Sequence, residues 1–450
     1  MTFVPREFKT IGSDLHAMAT RLFPICRSIT GDGVRETLNV LKEIVPVDVR
    51  EVPTGTEVFD WTVPREWNIR DAYVATGFGN RVIDFKACNL HVVNGSSPVR
   101  CTMAWSELRS HIHTLPDQPD LVPYRTCHFK DDWGFCVSQN HFDILDGRDD
   151  AEYEVVIDST LTDGSLTYGE YFLPGRKLEE VLISAHICHP SLANDNLSGI
   201  CIAAQLARRL SELPRREYSY RFVFAPATIG AITWLALNQG KLDAISHGLV
   251  LCLLGDPGKL TYKRSRAGDS AIDRVVQQVL SASGDDHEIR DFVPFGYDER
   301  QYCSPGINLP MGCLMRTPDG EFPEYHTSAD NLELITADAL SDSFQKCLDV
   351  IEILEMDETF INLKPECEPR LGRYGLYESL PPSGERESFQ RAVQWVLNLS
   401  DGDHGLFDIA ERSGLAFSGI RRAAEALVNC GLIAPQGTPA PVAVKQARTA

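Results

Sequence analysis

Short apolar runs alternate with amphipathic helical segments between residues 177 and 256, and this alternation restricts the fold more than any other feature of the chain. The run 181–185 in KLEEVLISAHICHP ends in polar residues, and SGICIAAQLARRLSEL follows with the apolar spacing of an amphipathic helix. Next come the strand YRFVFAPA, the helix GAITWLALNQG and the strand HGLVLCLLGD. Strands alternating with helices give a parallel or mixed sheet covered on both faces, so the fold class is α/β. In such sheets ligands bind beyond the carboxyl ends of the strands, where His186 and Asp256 both sit.

The rest of the chain reads differently. Residues 13–44 give two helices, with Ser13 and Asp14 at the start and a break at Pro24. From about residue 46 to about residue 160 the runs VDVREV, AYVATG, RVIDF, LHVVNG and GFCVSQ predict a β-rich stretch. Helices are expected over 270–284 and 335–356, then a linker marked by Pro365, Pro369 and the 372–384 region. Beyond it, a helix over 387–398, DIAERSGL and FSGIRRAAEALVNCGLI make the helix-turn-helix pattern of a winged helix, and APQGTPAPVAVKQARTA has the composition of a flexible tail.

A chain of 450 residues exceeds one compact core, and 43% apolar with 24% charged residues is the composition of a globular protein; three domains are expected. The net charge of -20 argues against nonspecific binding to nucleic acid or anionic membrane, since both need a basic surface. MTFVPREFKTIGSDL lacks the apolar core of a signal peptide, and no apolar run is long enough to span a bilayer, so a cytoplasmic chain is expected. The 13 cysteines contain no CxxC pair and indicate reduced thiols rather than a disulfide framework.

Two segments carry the chemistry. SAHICHPSLANDNLSG places two imidazoles and a carboxylate between a strand and a helix, and neutral imidazole with carboxylate is a ligand set for zinc. A loop can fold His186 and Asp195 onto one point; the alternative leaves Asp195 or Asn194 as a helix cap and His186 as a core histidine. EFPEYHTSADNLELI sets His326 after Tyr325, with Ser328 or Asp330 as the capping alternative.

This second segment resembles the YHTxxDTL ending of zinc aminopeptidases of the bacterial leucyl-aminopeptidase type, whose histidine is a metal ligand, and DNLSG resembles their DNxSG, whose aspartate bridges two metals. The resemblance implies that His186 is the first histidine ligand, Asp195 the bridging aspartate, His326 the last histidine and Asp256 the remaining aspartate. RLFPICRSITGDG, FDWTVPREWNIRDAYV, KDDWGFCVSQN and DERQYCSPGINLP extend it over about residues 10–435, to a bacterial group of aminopeptidase-like proteins often encoded among polysaccharide or natural-product biosynthesis genes. That group implies an α/β mixed sheet flanked by helices (1–48 with 161–364), interrupted by an inserted β-rich domain (49–160) and followed by a winged-helix domain (365–436) and the tail 437–450.

One departure matters. In the peptidases the strand matching RFVF leads into a Glu-Glu pair, one carboxylate acting as base and the other as ligand; here it leads into APATIG, with Ala227 and Thr228 in those places. Losing a general base typically removes ~10²–10⁴-fold of rate. One zinc is then favoured over two, held by His186, Asp195 and either His326 or Asp256, with His189 or Cys188 as an extra ligand. A substitute base is sought in Glu299 or Glu324, with Arg300 as a carboxylate clamp and Asp298, Gln301, Tyr302 and Tyr325 facing substrate; the alternative for this run is a salt-bridged surface loop. Trp61, Trp67 and Trp133 are expected to serve burial rather than a binding platform.

The expected function is a metal-dependent hydrolase cleaving an amide bond of a small aminoacyl or peptidyl conjugate in a biosynthetic pathway. A noncatalytic binding or scaffold protein is the alternative favoured by Ala227, and a DNA-binding regulator ranks last, because the helix FSGIRRAAEALVNCGL offers only Arg421 and Arg422 as adjacent bases. The winged helix or the inserted domain is expected to serve protein interaction or homo-oligomerisation.

Overall fold

The computed structural model describes residues 10–147, 152–374, 376 and 386–436. The tail 437–450 and part of the linker region 372–384 lie outside the described residues. The chain divides into two compact units, Met1–Arg274 with Asp285–Leu348, and Val275–Gly284 with Asp349–Ala450.

The first unit is built on an eight-stranded mixed sheet. Its order is Asp48–Pro53, Ser165–Leu173, Ser219–Ala225, Glu180–His186, Ile245–Leu251, Met311–Met315, Leu260–Lys263 and His287–Arg290. The four strands from Ser219–Ala225 to Met311–Met315 run parallel. Every residue of Glu180–His186 and Ser219–Ala225 is buried, as strands covered on both faces require, and the buried Arg221 is paired with Glu180 at 2.6 Å. From Glu180–His186 the chain crosses to one neighbour, Ser219–Ala225, and then returns past it to the other, Ile245–Leu251. Connections leaving in opposite directions open a crevice at the carboxyl ends of these central strands.

The helix Gly199–Glu212 buries Ile200, Cys201, Ala203, Ala204, Leu206, Ala207 and Leu210, the apolar positions that its 3.6-residue spacing announces. It begins only after a wide turn, Ala193–Ser198, in which Asp195 (φ -109, ψ 84) and Asn196 (φ -139, ψ 35) leave helical space. The turn is pressed against the neighbouring strand: a Cβ on Gly199 would lie 2.3 Å from the Leu251 carbonyl oxygen, so glycine is required.

The β-rich stretch leaves and re-enters at the edge of this sheet, where Asp48–Pro53 pairs antiparallel with Ser165–Leu173. Between them lies a four-stranded antiparallel sheet ordered Arg81–Asp84, Glu66–Thr76, Glu152–Thr162 and Val99–Ala104, packed on Trp105, Leu108, Phe135 and Val137. Trp67 is buried there and donates to the Ser96 carbonyl at 2.8 Å, and Trp133 stacks on His111, whereas Trp61 is 46% exposed beside Phe129.

The second unit holds the helices Arg386–Leu399, Leu406–Ser413 and Phe417–Asn429 with a three-stranded sheet of Asp401–Gly405, Thr359–Asn362 and Ile433–Pro435. Gly414, at φ 67, makes the left-handed turn between the last two helices, a conformation that costs glycine least. Arg421 pairs with Glu352 at 3.5 Å and Arg422 lies over the Phe389 ring. All 13 cysteines are free thiols. Among the described residues no helix is long and apolar enough to cross a membrane.

Candidate metal centre

His186 is the last residue of its strand, so the strand itself aims the imidazole into the crevice. The loop that follows brings back His189, and the wide turn brings back Asp195. Nε2 of His186 lies 2.8 Å from Asp195 Oδ1, and His189 Nδ1 lies 3.9 Å from the same oxygen. The other carboxylate oxygen, Oδ2, accepts from His326 Nε2 at 3.0 Å. His186 and Asp195 are sealed from solvent, His189 is nearly so, and the His326 side chain is 34% exposed, so the cluster opens on the His326 side.

Aromatic rings wall the cluster. Tyr297 stacks on His186 and Tyr325 on His326, with ring centroids 5.0 and 4.0 Å apart, and the two phenols meet at 3.4 Å. Tyr124, from the β-rich stretch, sets its edge against both His189 and His326 at 5.2 Å. It is fixed there because its backbone N–H donates to the His326 carbonyl at 2.8 Å, while Ser328 N–H donates to the Val122 carbonyl at the same distance. The inserted stretch thereby forms part of the wall around His326.

A second layer holds the turn. The Asp330 carboxylate accepts from the backbone N–H groups of Asn194 at 2.6 Å and Asp195 at 3.0 Å. Asn194 donates to Asp256 at 3.0 Å, and Asn196 donates to the Leu251 carbonyl at 3.0 Å. Burial raises the Asp330 carboxyl to about 8, against the pull of these N–H groups. Burial would likewise raise Asp195, but the imidazoles around it, His189 foremost, outweigh burial and hold it well below the usual carboxylate range. Burial pushes His189 down to about 3, against the attraction of Asp195.

The expected site residues separate clearly in space. His186, His189 and Asp195 offer ligand atoms that all lie within 4.8 Å of one another, and His326 joins them through the second oxygen of Asp195. Asp256 is not brought to this point. The strand ends at Leu251, and Asp256, beyond it, accepts from Asn194, Gly258 and Thr317. Cys188 lies against the Ala227 turn, its sulfur accepting the Ala227 N–H at 3.3 Å, and that turn carries no carboxylate. Glu299 is fully buried in an ion pair with Lys263. Tyr302 is a core residue bonded to Ser184 Oγ at 3.0 Å; Arg300 and Gln301 are half-buried beside it. Asp298 is buried, and Glu324 is half-buried on the loop of His326.

Comparison with known proteins places this architecture. A family described as "Domain of unknown function (DUF4910)" matches residues 16–357, and a winged helix-turn-helix family matches 358–435. A Clostridium acetobutylicum protein, provisionally described as a polysaccharide biosynthesis protein with an aminopeptidase-like domain, is 50% identical over 422 residues, 94% of this chain and 96% of its own. The chain belongs to the DUF4910 family. A crystal structure from Clostridium acetobutylicum, provisionally described as a peptidase, is similar to this DUF4910 chain at a TM-score of 0.89 and 49% identity, covering 94% of this chain and 96% of that one. A zinc aminopeptidase from Bacillus subtilis is 13% identical, with a TM-score of 0.56 over 78% of this chain and 96% of its own, and shares the fold. The mixed α/β sheet flanked by helices is thus the aminopeptidase-like fold, joined in DUF4910 to a C-terminal winged helix.

Two contributors to this DUF4910 site escaped sequence reasoning. Asp330 reads as a helix cap four residues beyond His326, and only its bonds to Asn194 and Asp195 reveal that it holds the ligand turn. Tyr124 belongs to a stretch whose pattern announces strands, and nothing in that pattern points to His326.

Proposed function

We propose that the chain is a single-zinc hydrolase that cleaves an amide bond of a small aminoacyl or peptidyl conjugate in a biosynthetic pathway. The convergence of His186, His189 and Asp195 carries this reading: two imidazole nitrogens and one carboxylate oxygen leave the open fourth position that catalytic zinc requires. Zinc there would supply a Lewis acid and a bound water whose pKa falls to about 7. His326 steadies Asp195 from its second oxygen, and one histidine on that side is too few protein ligands for a second ion.

The remaining roles belong to the walls. Tyr124, Tyr297 and Tyr325 crowd the cluster and favour a small acyl group. Glu299 is committed to Lys263, so the proton is assigned to Glu324 on the exposed side with His326. The relative's description, which names polysaccharide biosynthesis, supports a conjugate from such a pathway as substrate. The winged helix is assigned to protein interaction or homo-oligomerisation in the cytoplasm, since Arg421 and Arg422 are engaged by Glu352 and Phe389 and the net charge is -20.

The test is turnover of a panel of aminoacyl amides by the zinc-loaded protein. Glu324→Gln is expected to lower kcat by ~10²–10⁴-fold with zinc retained, and Glu299→Gln to lower stability while leaving kcat within a few fold. A second reading, a binding protein without catalysis, is favoured by the carboxylate-free Ala227–Thr228 turn. Zinc binding without turnover of any amide would select that reading, and an undiminished Glu324→Gln variant would remove Glu324 from the mechanism.

A further inference from the structure

Arg27 is 1% exposed, yet among the described residues no carboxylate pairs with it and its Nη2 has no hydrogen-bond partner. Arginine is almost never fully buried without an anion, because its guanidinium gives up water that only a charged partner fully replaces. Stability alone therefore does not account for it. Its short bonds fall on two backbone carbonyls. Nη1, which also reaches Thr37 Oγ1 at 3.5 Å, donates to the Leu22 carbonyl at 2.8 Å. Leu22 ends the helix Ile11–Leu22, where the last carbonyls lack partners within the helix. Nε donates to the His189 carbonyl, also at 2.8 Å.

Of the clustered ligands, His189 has the least support from regular structure. His186 is set by its strand and Asp195 by its bond to Asp330. His189 lies in the loop between them, followed by Pro190, which has no N–H to bond, and by Ser191 at φ 45. That loop is moored to the segment 22–27. Ser191 Oγ donates to the Phe23 carbonyl at 3.0 Å, and Asn89 Nδ2 donates to the Pro24 carbonyl at 3.0 Å and to Ser191 Oγ at 2.7 Å. Arg27 is held in turn by Asn94, whose Nδ2 donates to the Arg27 carbonyl at 2.9 Å. The guanidinium thus reaches out from a fixed backbone, and of these bonds the one from Arg27 Nε lands on the ligand residue itself.

We infer that Arg27 is a positioning residue for the metal centre: by holding the His189 carbonyl it fixes the backbone from which the His189 imidazole reaches the cluster. This rests on the metal reading above. Nδ1 of His189 stands 3.9 Å from Asp195 Oδ1, so a small shift of the loop would take it out of ligand range. A planar guanidinium suits the task, because one rigid fork bonds a helix end and the ligand loop at once.

The test is a double-mutant cycle read by zinc affinity, measured by competition with chromophoric chelators on the full-length wild type, Arg27→Gln, His189→Ala and the double variant. Arg27→Gln is expected to weaken zinc by ~10–100-fold when His189 is present, and by less than about threefold once His189 is alanine. Arg27→Lys keeps the charge but offers a single donor head, so it should lose less. It replaces the glutamine variant in the cycle if that one fails to fold. A general effect on the fold would weaken zinc by the same factor in both backgrounds. That equality, or wild-type affinity in Arg27→Gln, overturns the inference. A wild type that binds no zinc overturns instead the reading on which it rests.

Discussion

Alanine at His189 is expected to weaken zinc binding by more than the ~10–100-fold typical of a supporting residue, because it removes one of the groups that touch the ion. Its ring nitrogen is 3.9 Å from Asp195 Oδ1, within the same 4.8 Å cluster as the His186 nitrogen. Asparagine at Asp256 is expected to leave zinc binding within a few fold, because Asp256 serves Asn194 and Thr317 rather than the ion. The two variants separate the geometry here from the ligand set that the aminopeptidase resemblance implies. Equal loss in both, measured by chelator competition, would return Asp256 to the ligand set.

Asp330→Ala is expected to destabilise the protein even without metal. The substitution strands two backbone N–H groups, those of Asn194 and Asp195, in a turn whose six residues are all buried. At about 1–3 kcal/mol for each of the two unsatisfied donors, the loss is about 2–6 kcal/mol. For a unit of this size, at ~2.1 cal/mol/K of unfolding entropy per residue, that corresponds to a fall in Tm of roughly 3–8 °C. Asparagine, which keeps one acceptor oxygen, should lose about half as much. Denaturant unfolding of the zinc-free protein checks this, and an unchanged midpoint in the alanine variant would show that Asp330 does not hold the turn.

The parts of the fold that were legible in the sequence share one property: their signal is local. The apolar run before His186 and the spacing of Ile200, Leu206 and Leu210 announce a strand and a helix by period alone. The same holds for the helix pair around Gly414. The convergence of His186, Asp195 and His326 was legible through short motifs whose loops need only fold back. What was not legible depends on partners from elsewhere in the chain. Glu299 looks like an available acid until Lys263, on another strand, is found to neutralise it. Asp256 looks like a strand-end ligand, but the strand stops at Leu251 and the chain turns away before reaching it. The strand Asp48–Pro53 reads as the start of the β-rich stretch, yet its register with Ser165–Leu173 places it on the edge of the large sheet. Tyr124 reaches the cluster only because Pro123 and Thr327 pair as an isolated bridge.

The central claim is that His186, His189 and Asp195 hold one metal ion. Elemental analysis of full-length protein, purified without chelator and incubated with zinc, tests it most directly when wild type is compared with His186→Ala and Asp195→Ala. One zinc per wild-type chain, with none in either variant, is the predicted result. No metal in the wild type, or equal metal in all three proteins, would contradict it.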